Sequence, residues 1–243
     1  MNLHNCRRGA AALAIALLLA GCGKTNQDVI NEQRGAMDAL RTKLADISQT
    51  LPEAADEQKA EGKLSPEPVY SESDTANTDI VMYDHLVNPD DDMNDGDDLD
   101  LLLSEHLLTP LQWAGPDNPM SESVLGDSAG DFEQEFKRAA GLSYLGVARV
   151  RSYEPAVAID EQTFQGGAAE IDGYLVSLKD NEILCSFSIA AEPDESVSYS
   201  YKPNQDRKTQ LEGFVRSSIW EDGRTKLIEG FREHCGGEWT IDP

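Results

Sequence analysis

Between Val87 and Asp100 the chain reads VNPDDDMNDGDDLD, seven aspartates in fourteen positions. Carboxylates at that density could serve as calcium ligands. An EF-hand loop needs oxygen ligands at its first, third and fifth positions, glycine at the sixth and glutamate at the twelfth. With Gly96 sixth, Asp91 and Asp95 fill the first and fifth places, but Met93 stands third and Leu102 twelfth. Starting instead from Asp90, Asp92 and Asn94 repairs the early ligands, misplaces the glycine and puts Leu101 twelfth. The standard loop is excluded. An irregular calcium site using Asp90, Asp91, Asp92, Asp95 and Asp97 stays open, since crowded carboxylates repel until a cation joins them. So does a tail for a basic partner. The third reading is a solvated linker whose aspartates cap a following helix over LDLLLSEHLL and complement its dipole.

Other reactive side chains are sparse. Arg149 and Arg151 alternate along ARVRS, so two guanidinium groups leave one face of a strand. They could dock the acidic segment, hold an anionic ligand or stand solvated. His106 lies in the apolar run and His234 near a helix end, without the nucleophile and orienting acid that a catalytic histidine needs. Glu192, Asp194 and Glu195 in AAEPDES read as a solvated turn, and Gly166-Gly167 as a turn after a strand. No Gly-x-Ser-x-Gly, His-Glu-x-x-His or phosphate-loop pattern occurs.

The formal charge of −25 argues against nucleic acid, whose phosphates are met with Lys and Arg. It also disfavours electrostatic attraction to anionic lipid heads. Glu53 to Glu133 holds 22 acidic residues against Lys59 and Lys63 alone, whereas Glu135 to Pro243 holds 19 acids and 12 bases. The acidity belongs to the middle of the chain.

The first residues read MNLHNCRRGAAALAIALLLAGCGK. Arg7 and Arg8 form a positive start, and Ala10 to Ala20 an apolar run too short for a permanent span. Leu19-Ala20-Gly21-Cys22 follows, and this arrangement resembles the lipobox of bacterial lipoprotein precursors. The resemblance implies cleavage before Cys22, acylation of that cysteine, and a membrane partner held through the lipid. Gly23 stands where the family's inner-membrane retention signal has Asp, which implies the periplasmic face of the outer membrane. On that footing Cys6 leaves with the signal, Cys22 carries lipid, and Cys185 and Cys235 remain in an oxidising compartment. They form a disulfide or stay as two buried thiols.

The elements that must position these residues follow from periodicity. In TNQDVINEQRGAMDALRTKLADISQTLPEA, Ile30, Met37, Leu44 and Leu51 lie seven apart with Leu40 and Ile47 interleaved. Thr25 or Asn26 can cap this helix and Pro52 ends it. It could self-associate as a coiled coil or lay its stripe on the chain's own domain. Residues 53–78 are poor in apolar side chains and read as a flexible spacer. DIVMYDHLV is a short apolar run, either a strand or a segment ordered on binding. LQWAGPDNPMSESVLGDSAG reads as loop, and DFEQEFKRAAG as a helix with Phe132, Phe136 and Ala139 on one face.

LSYLGVARVRSY alternates as a strand, with Tyr144, Ala148 and Val150 opposite the two arginines. GYLVSLKDNEILCSFSIAA reads as a hairpin turning at Lys179-Asp180-Asn181, with Ile183, Cys185, Phe187 and Ile189 on one face. SVSYSYK offers a further edge strand. Leu211, Phe214, Val215 and Ile219, then Leu227, Ile228 and Phe231, give helical stripes up to Gly236, and Cys235 shares the inner face. Strand and helix therefore each turn one cysteine inward.

The expectation is an α+β protein in four parts: signal peptide 1–21, lipidated helical tether 22–52, acidic flexible spacer 53–98, and a domain 99–243 with an antiparallel sheet packed with helices. Its expected role is to present that domain to a protein partner in the envelope. A calcium-binding role through 90–100, and a hydrolase with an unrecognised site, are the alternatives.

Overall fold

The computed structural model describes residues 24–71, 76–88, 107–115, 129–197, 200, 202 and 204–240. In chain order these form α1 (Asn26–Thr50), β1 (Val69–Tyr70), β2 (Thr78–Met82), α2 (Tyr83–Val87), α3 (Leu108–Trp113), α4 (Ala129–Gly141) and β3 (Tyr144–Glu154). Then come β4 (Val157–Ala158), β5 (Phe164–Gln165), β6 (Ala168–Ser177), β7 (Ile183–Ala191), α5 (Arg207–Cys235) and β8 (Glu238–Trp239). The fold is α+β.

The central sheet has the order β2-β3-β6-β7, with β3, β6 and β7 antiparallel and β2 parallel to β3. Side chains alternate between its faces. Ala148, Ile171, Leu175, Cys185 and Phe187 face α5 and pack with Leu211, Val215, Ile219, Leu227 and Phe231. Leu145, Val147, Tyr174 and Val176 face α1, α3 and α4. Helices therefore cover both faces.

Helix α1 begins at a capping box, in which the Asp28 amide donates to the Thr25 hydroxyl and the Thr25 amide to the Asp28 carboxylate. The interaction holds the Asp28 carboxyl below its ordinary range, chiefly through the Thr25 backbone N–H. Ile30, Met37, Leu44, Ile47 and Leu51 are all buried, against Phe132 and Phe136 of α4, Leu111 of α3 and the sheet. Arg41 donates to the Leu111 carbonyl and Lys43 to the Leu178 carbonyl. The stripe lies on the chain's own domain, so α1 is part of the core and not a free tether. A coiled coil through the same stripe would have to lift α1 off the sheet.

The segment expected to be a flexible spacer, 53–98, belongs to the fold wherever it is described. Gln58 exchanges both backbone hydrogen bonds with Ser186, at 2.9 and 3.0 Å, and Ala60 N–H donates to the His234 carbonyl. Tyr70 packs on Trp239 as β1 pairs with β8. β2 supplies five buried residues, with Ile80 and Val81 facing opposite clusters. Its Asp79 carboxylate receives the Leu107 amide at 2.7 Å, fixing the start of α3. Low average hydrophobicity misled here because Tyr70, Ile80, Val81, Met82 and Leu86 each have a place in the core, while of the described acids only Asp79 is buried and the others stay at the surface. The fold thus begins well before residue 99, and its sheet is mixed because β2 adds a parallel edge.

Two local differences also have plain causes. Leu111–Trp113, expected as loop, continues α3, with Pro110 in the first turn where its missing N–H costs nothing. In β7 the register shifts at Leu184, so Leu175 pairs with Cys185 but Val176 with Ile183, and Ile183 packs on the face opposite Cys185. Asn181 takes a positive φ of 58° in the turn, a conformation asparagine tolerates. Gly166 and Gly167, both with positive φ, make the turn into β6.

Helix α5 runs unbroken from its cap at Asp206, which accepts the Thr209 amide at 2.9 Å, to Gly236 at φ 70°. Cys235 on its last turn is bonded to Cys185 on β7, with Cα atoms 5.6 Å apart. Nearby, the Phe187 ring fills the space over Gly173 of β6 and Gly230 of α5. These two glycines let the helix approach the sheet closely.

Candidate functional site

Arg149 and Arg151 leave β3 on the α1 side, just past the end of that helix. Arg149 stacks 3.5 Å from the centre of the Tyr83 ring and donates to the Pro52 carbonyl at 2.6 Å. The Tyr174 hydroxyl reaches the same carbonyl at 3.2 Å. Arg151 binds Glu170 through Nε and Nη2, at 3.1 and 2.9 Å, and lies 3.8 Å from Asp172. The Glu170 hydrogen bond, then the Asp172 charge, hold the Arg151 guanidinium above its ordinary range.

Asp172 is fully buried but well supplied with donors: the Ala55 amide at 3.1 Å and the Ser188 hydroxyl at 2.5 Å. Burial, reinforced by the Asp172 carboxylate and opposed by Arg149, pushes the Tyr174 phenol up to about 12. A hollow of about 300 Å³ lies between Glu53, Tyr83, Asp84 and the two arginines. Two carboxylates balance two guanidinium groups there. The cluster's visible work is to clamp the chain leaving α1 onto the sheet.

A larger concavity, about 710 Å³, opens at the other end of the sheet. β3 and β6 meet there in register, Tyr144 opposite Ser177. The deepest lining residues are Ala139, Tyr144, Ser177 and Leu178, all buried. Ala36, Ala39 and Leu40 of α1, Leu142 after α4, Leu64 and Pro66 before β1, and Leu184 of β7 complete the apolar lining. Lys43, Lys63, Lys179 and Asp180 also line the groove.

Two of the buried polar groups inside, on Tyr144 and Ser177, are engaged within the protein. The Tyr144 hydroxyl donates to the Pro66 carbonyl at 2.6 Å, and Ser177 meets the Asp180 carboxylate at 3.2 Å. Burial pushes the Tyr144 phenol upward. Lys63 pairs with Glu67 at 2.7 Å on an exposed surface, and Lys179 is exposed at the hairpin turn. With three lysines against one aspartate the lining is net positive, in a chain of net charge −25.

The remaining candidates are placed as follows. Cys22, His106 and the aspartates Asp90, Asp91, Asp92, Asp95 and Asp97 lie outside the described residues, as do Ser198, Tyr199 and Tyr201 of the expected edge strand SVSYSYK, whose four described residues are not in a strand. His234 packs as an aromatic, stacked on Phe187 with ring centres 5.2 Å apart. The Glu192 and Asp194 amides are tied to Asp222 and Ser218, which fastens their loop to the middle of α5. Among the described residues, no group of three or more His, Cys, Asp or Glu could hold a metal ion, and no helix is long and apolar enough to cross a membrane.

The groove escaped sequence reasoning because its walls come from five separate segments. One signal was present: Lys63 is one of only two bases in the acidic stretch. Comparison with known protein families finds no match, and neither does comparison with curated proteins.

Proposed function

We propose that this is a lipid-anchored protein of the bacterial envelope, held at the periplasmic face of the outer membrane through Cys22, whose α+β domain is a binding module. The groove between α1, the end of α4 and the β6–β7 turn carries this reading. Its size falls within the roughly 300–1,000 Å³ of small-molecule sites, and its apolar lining with a few charged groups at hand suits recognition. The order of charge, apolar run and lipobox supports the address, and the Cys185–Cys235 bridge fits an oxidising compartment.

Two experiments test the halves separately. Metabolic labelling with a palmitate analogue should mark the wild-type protein and leave Cys22→Ser unlabelled, with the variant released from the membrane fraction. The soluble chain from Lys24, used as bait in envelope extracts, should retain a partner or ligand that Ala39→Trp, which fills the groove, does not. Label on the serine variant defeats the anchor. Retention of nothing, or of the same material by both baits, defeats the binding site.

A further inference from the structure

Resting on that binding reading, we infer that the groove takes a single-chain anionic amphiphile, a long-chain fatty acid, with the acyl chain inside and the carboxylate met by the lysines. The interior sets the first half of this specificity. Tyr144 and Ser177 already hold partners within the protein, so they offer a ligand little hydrogen bonding. A sugar or amino acid entering would lose water contacts and regain few. A hydrocarbon chain loses none, and each methylene it buries adds to the binding. Ala36, Ala39 and Ala140 have short side chains, which keeps the groove open where larger residues would fill it.

The lysines set the second half. Lys43 is held by its bond to the Leu178 carbonyl, Lys63 is exposed and paired with Glu67 at 2.7 Å, a surface pair that a ligand carboxylate can compete for, and Lys179 is exposed at the hairpin turn. In a strongly acidic protein this is a local reversal of sign, and it favours an anionic head over a neutral or cationic one. A protein segment is the rival occupant.

The test uses the chain with Cys22→Ser, purified in soluble form, and 11-(dansylamino)undecanoic acid as probe. A saturable rise in dansyl emission is expected, reversed by palmitate and at least about tenfold less well by hexadecanol. Ala39→Trp should abolish it. Lys63→Glu with Lys179→Glu should weaken the probe at least about tenfold. All three positions are exposed, so circular dichroism and thermal midpoint should match the parent.

No saturable binding, binding that survives Ala39→Trp, or equal displacement by palmitate and hexadecanol would each overturn the inference. Should the probe fail while extract capture remains sensitive to Ala39→Trp, the fatty acid is wrong and the binding module stands. Loss of both removes the groove as a site.

Discussion

Leu44 lies in the C-terminal third of α1 with no exposed surface, among side chains of the sheet, α3 and α4. On a free tether helix, replacing it with alanine would cost almost nothing, since both residues are good helix formers. In the packed fold, Leu44→Ala removes buried methyl groups and leaves a cavity, which costs about 3 kcal/mol. With a urea slope of about 2 kcal/mol/M, the unfolding midpoint should fall by about 1.5 M. Tryptophan fluorescence reports on both sides of the sheet. Trp113 stacks on Phe132 at 4.1 Å on the α1 side, while Trp220 and Trp239 belong to the α5 side. Far-UV circular dichroism should trace the same transition if the molecule unfolds as one unit. Gln49→Ala, on the exposed face, should stay within about 0.5 kcal/mol of the parent. A midpoint shift for Leu44→Ala no larger than that control would refute the placement of α1 in the core.

Replacing both Cys185 and Cys235 with alanine opens a link across 50 residues and should lower stability by about 4 kcal/mol on the chain-entropy account, read as a lower denaturation midpoint than the oxidised parent. Gly230→Ala puts a methyl group into the Phe187 ring and should destabilise by about 1–3 kcal/mol, whereas Gly213→Ala on the open part of the same helix should be neutral or stabilising. Tyr174 should ionise last among the tyrosines in an absorbance titration at alkaline pH, near 12, and Tyr174→Phe should delete that step. Because its folded-state value lies above the ordinary value of 10, the stability it contributes is complete below pH 10 and is lost as pH rises through 12.

Elements set by local periodicity were legible from the residues: α1 with its Thr25 cap, the β6–β7 hairpin and its turn, the inward cysteines, and the stripe of α5. Elements set by long-range pairing were not. β2 is five residues long and reads as ambiguous until β3 is laid beside it, which takes a partner more than sixty positions away. Residues 53–71 look like a linker because most of their anchoring is backbone hydrogen bonding, to Ser186 and His234, which leaves no mark on composition. Arg149 and Arg151 were identified as candidates from strand alternation, but their partners, Pro52, Tyr83, Glu170 and Asp172, depend on where distant segments come to rest. The groove lay furthest from sequence reasoning, since a concavity is a property of gaps between elements.

The capping box at Thr25 has a mechanical consequence. Helix α1 is rigidly seated from that residue onward, and only Gly23 and Lys24 separate Thr25 from Cys22. Three residues of extended chain reach at most ~11 Å. With Cys22 acylated as proposed, the domain rides flush on the bilayer like a stud, without a leash. So anchored, it would not sweep the periplasm for partners, and its encounters would be confined to molecules in, or delivered to, a thin layer at the membrane, where two-dimensional diffusion would set the rate of meeting.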